Sequence, residues 1–139
     1  MPERQVIVDT GPLVAFLVAD DQHHAWAAER FRELPAPLWT CEPVLTETFH
    51  LLRKLRGGGR RFFELLASGL LAVEFELVAE HAALARLVAK YADLPMSLAD
   101  ACLVRMVERH PGAIVFTVDR HFAIYRQQGR RQIPTIMPT

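Results

Sequence analysis

The chain has 139 residues, of which 51% are hydrophobic and 23% charged, and its formal net charge is zero. This length and composition predict one globular domain, residues 1–139, with a hydrophobic core. The neutral balance excludes a global electrostatic field as the means of attracting nucleic acid. The two cysteines, Cys41 and Cys102, lack metal-type spacing, which argues against a thiolate zinc site and favours a reducing cytoplasm. No signal peptide or membrane span is expected, because the apolar runs are short and interrupted.

The spacing of apolar residues predicts strands that alternate with helices along the chain. A buried strand over 6–8 precedes a helix that has Pro12 in its first turn. Further helices are predicted over 22–34, 42–56, 60–69, 79–92 and 97–110, and further strands over 38–41, 70–77, 113–119 and 133–137. This alternation predicts an α/β fold with a central, mainly parallel sheet sandwiched by helices. Such sheets bind ligands beyond the carboxyl ends of their strands, at a topological switch point.

Two acidic residues end predicted strands. Asp9 follows the first strand, and Asp119 ends the apolar run "AIVFTVD". Each has a simple structural explanation, because an aspartate after a strand often caps the helix that follows. Both also lie at carboxyl ends of strands, where a functional site is expected.

Asp100 lies in "SLADACLV", near the start of a predicted helix. Ser97 and Asp100 have the spacing of a capping box, and an acid in the first turn suits the helix dipole. On a helical projection, however, Asp100 falls within the apolar arc of Leu103, Val104 and Val107. A carboxylate that faces a core needs a partner to offset its desolvation. A capping role and a ligand role are compatible for Asp100, because a cap fixes the position of the side chain.

Glu47 lies at the edge of the apolar arc of the helix predicted over 42–56. It is next to Val44 and Leu51 on the projection, so Glu47 is predicted to lie on the face of the helix that is turned toward the sheet. The alternative is an edge residue that pairs with Arg53 or Lys54. The sequence leaves both interpretations open.

If these four acids converge, their like charges raise one another's pKa values. A divalent cation relieves this repulsion, and carboxylates with water suit Mg²⁺ or Mn²⁺. The chemistry indicated is metal-assisted attack of water on a phosphodiester. Thr10 and Thr117 could add hydroxyl donors near the same edge.

Four segments resemble, in order and approximate spacing, the acidic motifs of PIN domains. They are "IVDTGPLVAFL", "LTETFHLL", "SLADACLV" and "FTVDRHF", and the similarity is greatest to single-domain toxins of the VapC type. The resemblance extends over nearly the whole chain. It implies a parallel sheet sandwiched by helices and an endoribonuclease that depends on Mg²⁺ or Mn²⁺. It also implies inhibition by a cognate antitoxin, and commonly a homodimer.

The resemblance assigns the catalytic metal site to Asp9, Glu47, Asp100 and Asp119. Thr10 occupies a position where many members have Asn or Ser, and the fourth acid varies most within the family. Nothing in the resemblance implies a membrane.

Basic residues cluster within the segment "RKLRGGGRR" and after Asp119. A nuclease with an acidic site needs cations at the rim to hold the phosphate backbone. His121 could donate to a phosphate in the same way. The structural alternative is that these residues favour the helix dipole and solvate a face. The candidate RNA contacts are Arg53, Arg56, Arg60, Arg61 and Arg120.

Other functions fit less well. "DTG" also occurs in aspartic proteases, but their fold is nearly all β, whereas the spacing here is largely helical. A haloacid-dehalogenase-type phosphatase normally has a second acid where Gly11 stands, and a receiver domain has a late lysine that is missing here. The remaining alternatives are a catalytically degenerate or DNA-acting PIN-like domain and a different metal-dependent phosphohydrolase.

Overall fold

The computed structural model describes residues 4–139, which form a parallel five-stranded sheet flanked by helices. The sheet has the order β3-β2-β1-β4-β7, and β5 and β6 form a separate antiparallel pair. The strands are β1 (Val6–Val8), β2 (Leu38–Thr40), β3 (Leu71–Val73), β4 (Ile114–Phe116), β5 (Arg126–Gln127), β6 (Arg131–Gln132) and β7 (Thr135–Ile136). The helices are α1 (Thr10–Leu17), α2 (His24–Glu33), α3 (Glu42–Leu52), α4 (Gly58–Ala67), α5 (His81–Lys90) and α6 (Leu98–Arg109), with a 3-10 helix over Arg120–Ala123.

This architecture confirms the predicted α/β class, while several elements are shorter than their sequence patterns. The strands predicted over 70–77 and 113–119 are three residues each, because sheet pairing stops before the alternating pattern does. The helix predicted over 42–56 ends at Leu52, and Gly57 then takes a left-handed φ of 73° that reverses the chain into α4. No sequence pattern predicted the β5–β6 pair.

The sheet order places β1 beside β4, although more than 100 residues separate them in the chain. Val8 is in register with Phe116, and the Asp9 N–H donates to the Phe116 carbonyl at 2.9 Å. The chain builds β2 and β3 on one side of β1 and then adds β4 and β7 on the other side. The carboxyl ends of β1 and β4 therefore form the topological switch point.

Aromatic side chains pack between β4 and the first two helices. The ring of Phe116, which is fully buried, lies 5.2 Å from Trp26 and 5.1 Å from Phe31. Phe31 in turn packs on Phe16 at 4.5 Å. Such tilted and edge contacts are the arrangements that aromatic pairs prefer. They hold α1 and α2 against β4.

Helix α6 is the most deeply set of the helices described, and it contacts β1 and β4. Its buried residues include a carboxylic acid, Asp100, and a free thiol, Cys102, which belongs to the hydrophobic core together with the free thiol of Cys41. Between residues 4 and 139, none of the helices has the length and apolar character needed to cross a bilayer.

Candidate metal centre

Asp9 lies at the carboxyl end of β1 and holds two hydrogen bonds on its two oxygens. Oδ1 accepts from the Thr10 N–H at 2.7 Å, so Asp9 is the N-cap of α1. Oδ2 accepts from the Thr117 hydroxyl at 2.8 Å, a contact between residues 108 apart in sequence. The pKa of Asp9 is raised to about 7: burial is the largest cause, the two hydrogen bonds oppose it, and the negative charges of Asp100 and Asp119 add to it.

Asp100 lies in the first turn of α6 with its carboxyl group buried. Its N–H donates to the Ser97 Oγ at 3.0 Å, so the predicted cap on the helix start is present. Its Oδ2 accepts from the Tyr125 hydroxyl at 2.8 Å. Burial raises the pKa of Asp100, the Tyr125 bond opposes this, and the charges of Asp119 and Glu47 add to it.

Asp119 follows β4 and is partly exposed. Its Oδ1 accepts from the His121 N–H at 2.8 Å, which makes it the N-cap of the 3-10 helix. Its own N–H donates to the Thr117 Oγ at 2.9 Å. Thr117 is fully buried and bonds to both Asp9 and Asp119, so a single hydroxyl connects the two strand-end acids.

Glu47 is exposed, so the prediction that it lies on the face of α3 turned toward the sheet is wrong. The buried stripe of α3 consists of Val44, Thr48 and Leu52, and Leu51 is 41% exposed rather than core. The Glu47 carboxylate nevertheless reaches back toward α1, where its Oε2 lies 3.4 Å from the Thr10 hydroxyl that donates to it. Its charge contributes to the pKa of Asp100. Glu47 therefore borders the cluster from its solvent side.

Asp100, Asp119 and His121 each offer one ligand atom within 4.8 Å of the others. The His121 Nδ1 is 3.5 Å from the Asp119 Oδ1. Asp9 belongs to the same neighbourhood, because the charges of Asp100 and Asp119 act on its pKa. Carboxylate oxygens are the ligands that suit Mg²⁺ or Mn²⁺, whereas the imidazole of His121 is not a usual Mg²⁺ ligand, so the fit rests on the acids. A cation there would offset the repulsion among them.

Sequence reasoning missed Tyr125 as a member of this cluster. The residue lies 25 positions after Asp100 in an irregular segment, and no periodicity or motif marks it. Thr117 was expected there as an accessory donor, and it makes the bonds described above. Thr10, the first residue of α1, has its hydroxyl shared between Glu47 and the Val44 carbonyl at 3.4 Å each.

The basic residues lie on the surface, and some already have protein partners. Arg61 donates to the Leu17 carbonyl at 2.9 Å, and the Arg60 Nε lies 3.5 Å from Glu64. The Arg53 Nη2 lies 3.3 Å from the Nδ1 of His50, three residues earlier in the chain. Arg56 and Arg120 are exposed. Contacts within the protein therefore account for some of the five arginines that were predicted to contact RNA.

Comparison with known proteins agrees with the architecture and the motif order. The family model of the PIN domain matches residues 6–127. Ribonuclease VapC26 of Mycobacterium tuberculosis (strain ATCC 25618 / H37Rv) is 30% identical over 147 residues, which cover 96% of this chain and 100% of that protein. The crystal structure of M. tuberculosis VapC20, described as a Sarcin-Ricin loop cleaving toxin, superposes with a TM-score of 0.75. That match covers 86% of this chain and 94% of VapC20 at 22% identity, so it bears on the fold.

The family model spans most of the chain, and the VapC26 alignment runs the full length of that relative. The chain therefore belongs to the PIN domain family.

Proposed function

We propose that this protein is a metal-dependent endoribonuclease and the toxin of a type II toxin–antitoxin pair. The observation that carries the proposal is the set of acids at the carboxyl edge of β1 and β4, two of them buried, with their charges acting on one another. Full-length similarity to a protein named a ribonuclease supports the same reaction.

The proposed metal residues are Asp9, Glu47, Asp100 and Asp119. A bound Mg²⁺ or Mn²⁺ would lower the pKa of a water molecule and offset negative charge on the phosphodiester and its leaving oxygen. The protein contributes orientation: Thr117 holds one oxygen of Asp9, and the caps of α1 and α6 hold Asp9 and Asp100 at the edge of the sheet. These bonds restrict the movement of the two carboxylates, so the acids need little reorganisation when a cation binds.

RNA is the proposed substrate, and exposed basic residues are its proposed rim contacts. The net charge of zero means that attraction must be local. Arg56 and Arg120 are exposed and free to reach phosphate, whereas Arg60 and Arg61 would have to leave their present partners. The members of this proposed set are Arg53, Arg56, Arg60, Arg61 and Arg120.

The proposal includes a cognate antitoxin that inhibits the enzyme, a homodimer as the assembled form, and action in the cytoplasm, where cellular RNA is found. VapC-type relatives support the antitoxin and the RNA substrate. A short DNA-binding protein encoded next to this chain, and able to suppress its toxicity, would identify the partner.

The deciding experiment is cleavage of labelled RNA by the purified protein with Mg²⁺ or Mn²⁺, and with EDTA. The substrates include an oligonucleotide of the sarcin–ricin loop, because the structurally similar VapC20 is described as cleaving that loop. Asp9→Asn and Asp100→Asn should each abolish cleavage while circular dichroism stays unchanged. Asp93→Asn is the matched control, since Asp93 is an exposed acid and the chemical change is the same.

Cleavage that survives EDTA, or full activity in Asp9→Asn, would remove the metal mechanism. Cleavage of single-stranded DNA in place of RNA would favour the DNA-acting alternative. Absence of any nuclease activity together with tight antitoxin binding would favour a degenerate domain.

A further inference from the structure

Tyr125 is fully buried, and its hydroxyl is directed at the candidate metal centre. The hydroxyl donates to the Oδ2 of Asp100 at 2.8 Å, across 25 residues of sequence. A phenol has one proton to donate and remains protonated at neutral pH, so this bond engages one carboxylate oxygen. Asp100 also offers a ligand atom within 4.8 Å of those of Asp119 and His121, so a bond from Tyr125 bears directly on a group that could hold a cation.

The Tyr125 ring is fixed from several directions, so its hydroxyl has little freedom to move. The rings of Tyr91 and Phe122 lie 5.0 and 5.2 Å away in edge-to-face geometry. The Tyr125 N–H donates to the His121 carbonyl at 3.0 Å, and the N–H of Arg126 donates to the Tyr91 hydroxyl at 2.9 Å. A donor held this firmly restricts the rotation of the carboxylate that it contacts.

We propose that Tyr125 is a positioning residue that orients the Asp100 carboxylate for metal binding. The inference rests on the proposed function, since it assigns Asp100 to the metal. Groups that hydrogen-bond to metal ligands typically change metal affinity 10- to 100-fold when removed. The competing explanation is structural: the hydroxyl only satisfies a buried carboxyl group, in which case stability changes and metal affinity does not.

Tyr125→Phe removes the hydroxyl and keeps the ring. Mn²⁺ affinity, measured by isothermal titration calorimetry, should fall about 10- to 100-fold. In RNA cleavage, the Mn²⁺ concentration for half-maximal rate should rise by the same factor, and the rate at saturating Mn²⁺ should fall less. The matched control is Tyr91→Phe, which removes a hydroxyl from the neighbouring ring that bonds to backbone and not to an acid. The control should keep Mn²⁺ affinity within about twofold, even where its thermal stability drops.

A second measurement follows Tyr125 in the wild-type chain and needs a variant only to assign the resonances. The protein contains two tyrosines, so 3-fluorotyrosine labelling gives two ¹⁹F resonances, and Tyr91→Phe assigns them. Titration with Mg²⁺ should shift the Tyr125 resonance more than that of Tyr91.

The outcomes separate this inference from the proposed function. If wild type binds Mn²⁺ and Tyr125→Phe binds it equally well, or if Mg²⁺ that calorimetry shows to bind wild type leaves the Tyr125 resonance unmoved, the positioning role is wrong and the metal centre stands. If Asp100→Asn leaves Mn²⁺ affinity unchanged, both the metal centre as assigned and the role of Tyr125 are wrong.

Discussion

Removing the charge of Asp9 should stabilise the protein in the absence of metal. Burial is the main cause that raises the pKa of Asp9 from 3.8 to about 7. Between these two pH values the folded protein keeps the Asp9 proton, whereas the unfolded chain releases it. The stabilising effect of that proton is complete below pH 3.8 and is lost progressively as the pH rises to about 7. At 1.36 kcal/mol for each pKa unit, the ionised form costs the fold about 4 kcal/mol above pH 7.

Asp9→Asn is neutral at every pH and avoids this cost. The asparagine retains one acceptor oxygen for the Thr10 N–H, while its amide must replace the Thr117 bond with a different one, at a loss of about 1 kcal/mol. The net gain at pH 8 is therefore about 3 kcal/mol, or roughly 10 °C in Tm for a chain of this size. At pH 4 the two proteins should differ by less than about 1 kcal/mol.

The assay is urea and thermal denaturation of both proteins in EDTA at pH 4, 6 and 8, with Asp93→Asn as an exposed control. Addition of Mn²⁺ should then stabilise wild type and have a smaller effect on Asp9→Asn. If Asp9→Asn is no more stable than wild type at pH 8, or if the difference does not shrink toward pH 4, the reasoning that the buried charge of Asp9 destabilises the fold is refuted.

Two further predictions concern the corner after α3 and the basic surface. Gly58→Ala should lower the free energy of unfolding by about 1–3 kcal/mol or more, because a Cβ there would lie 1.8 Å from the Leu52 carbonyl oxygen. Gly59→Ala, whose Cβ would meet only ordinary contacts, should be neutral or stabilising in the same urea titration. Arg56→Ala should weaken RNA binding and reduce the slope of log K against log salt by about 0.7 if Arg56 contacts one phosphate of a single strand. Arg86→Ala on α5 should leave both quantities unchanged, and an equal effect of the two would argue against a defined RNA surface.

Local sequence patterns determined the fold class and the position of each acid along the chain. The alternation of strands and helices, with Ser97 at the start of α6 and Asp9 after β1, follows from hydrogen bonds and apolar spacing between near neighbours. These features are encoded within a few residues, so the sequence alone is sufficient to predict them. The order of the acidic motifs along the chain likewise indicated the family.

The tertiary structure alone decided which groups meet. The Thr117–Asp9 bond spans 108 residues and depends on β1 pairing with β4, which no local pattern specifies. The Tyr125 contact depends on how an irregular segment returns over α6. Glu47 was misplaced because the apolar residues of α3 exceed what the core buries, so the projection suggested a wider buried face than the stripe that packs. Periodicity reports which side of an element is apolar, whereas the partners of a side chain are set by long-range packing.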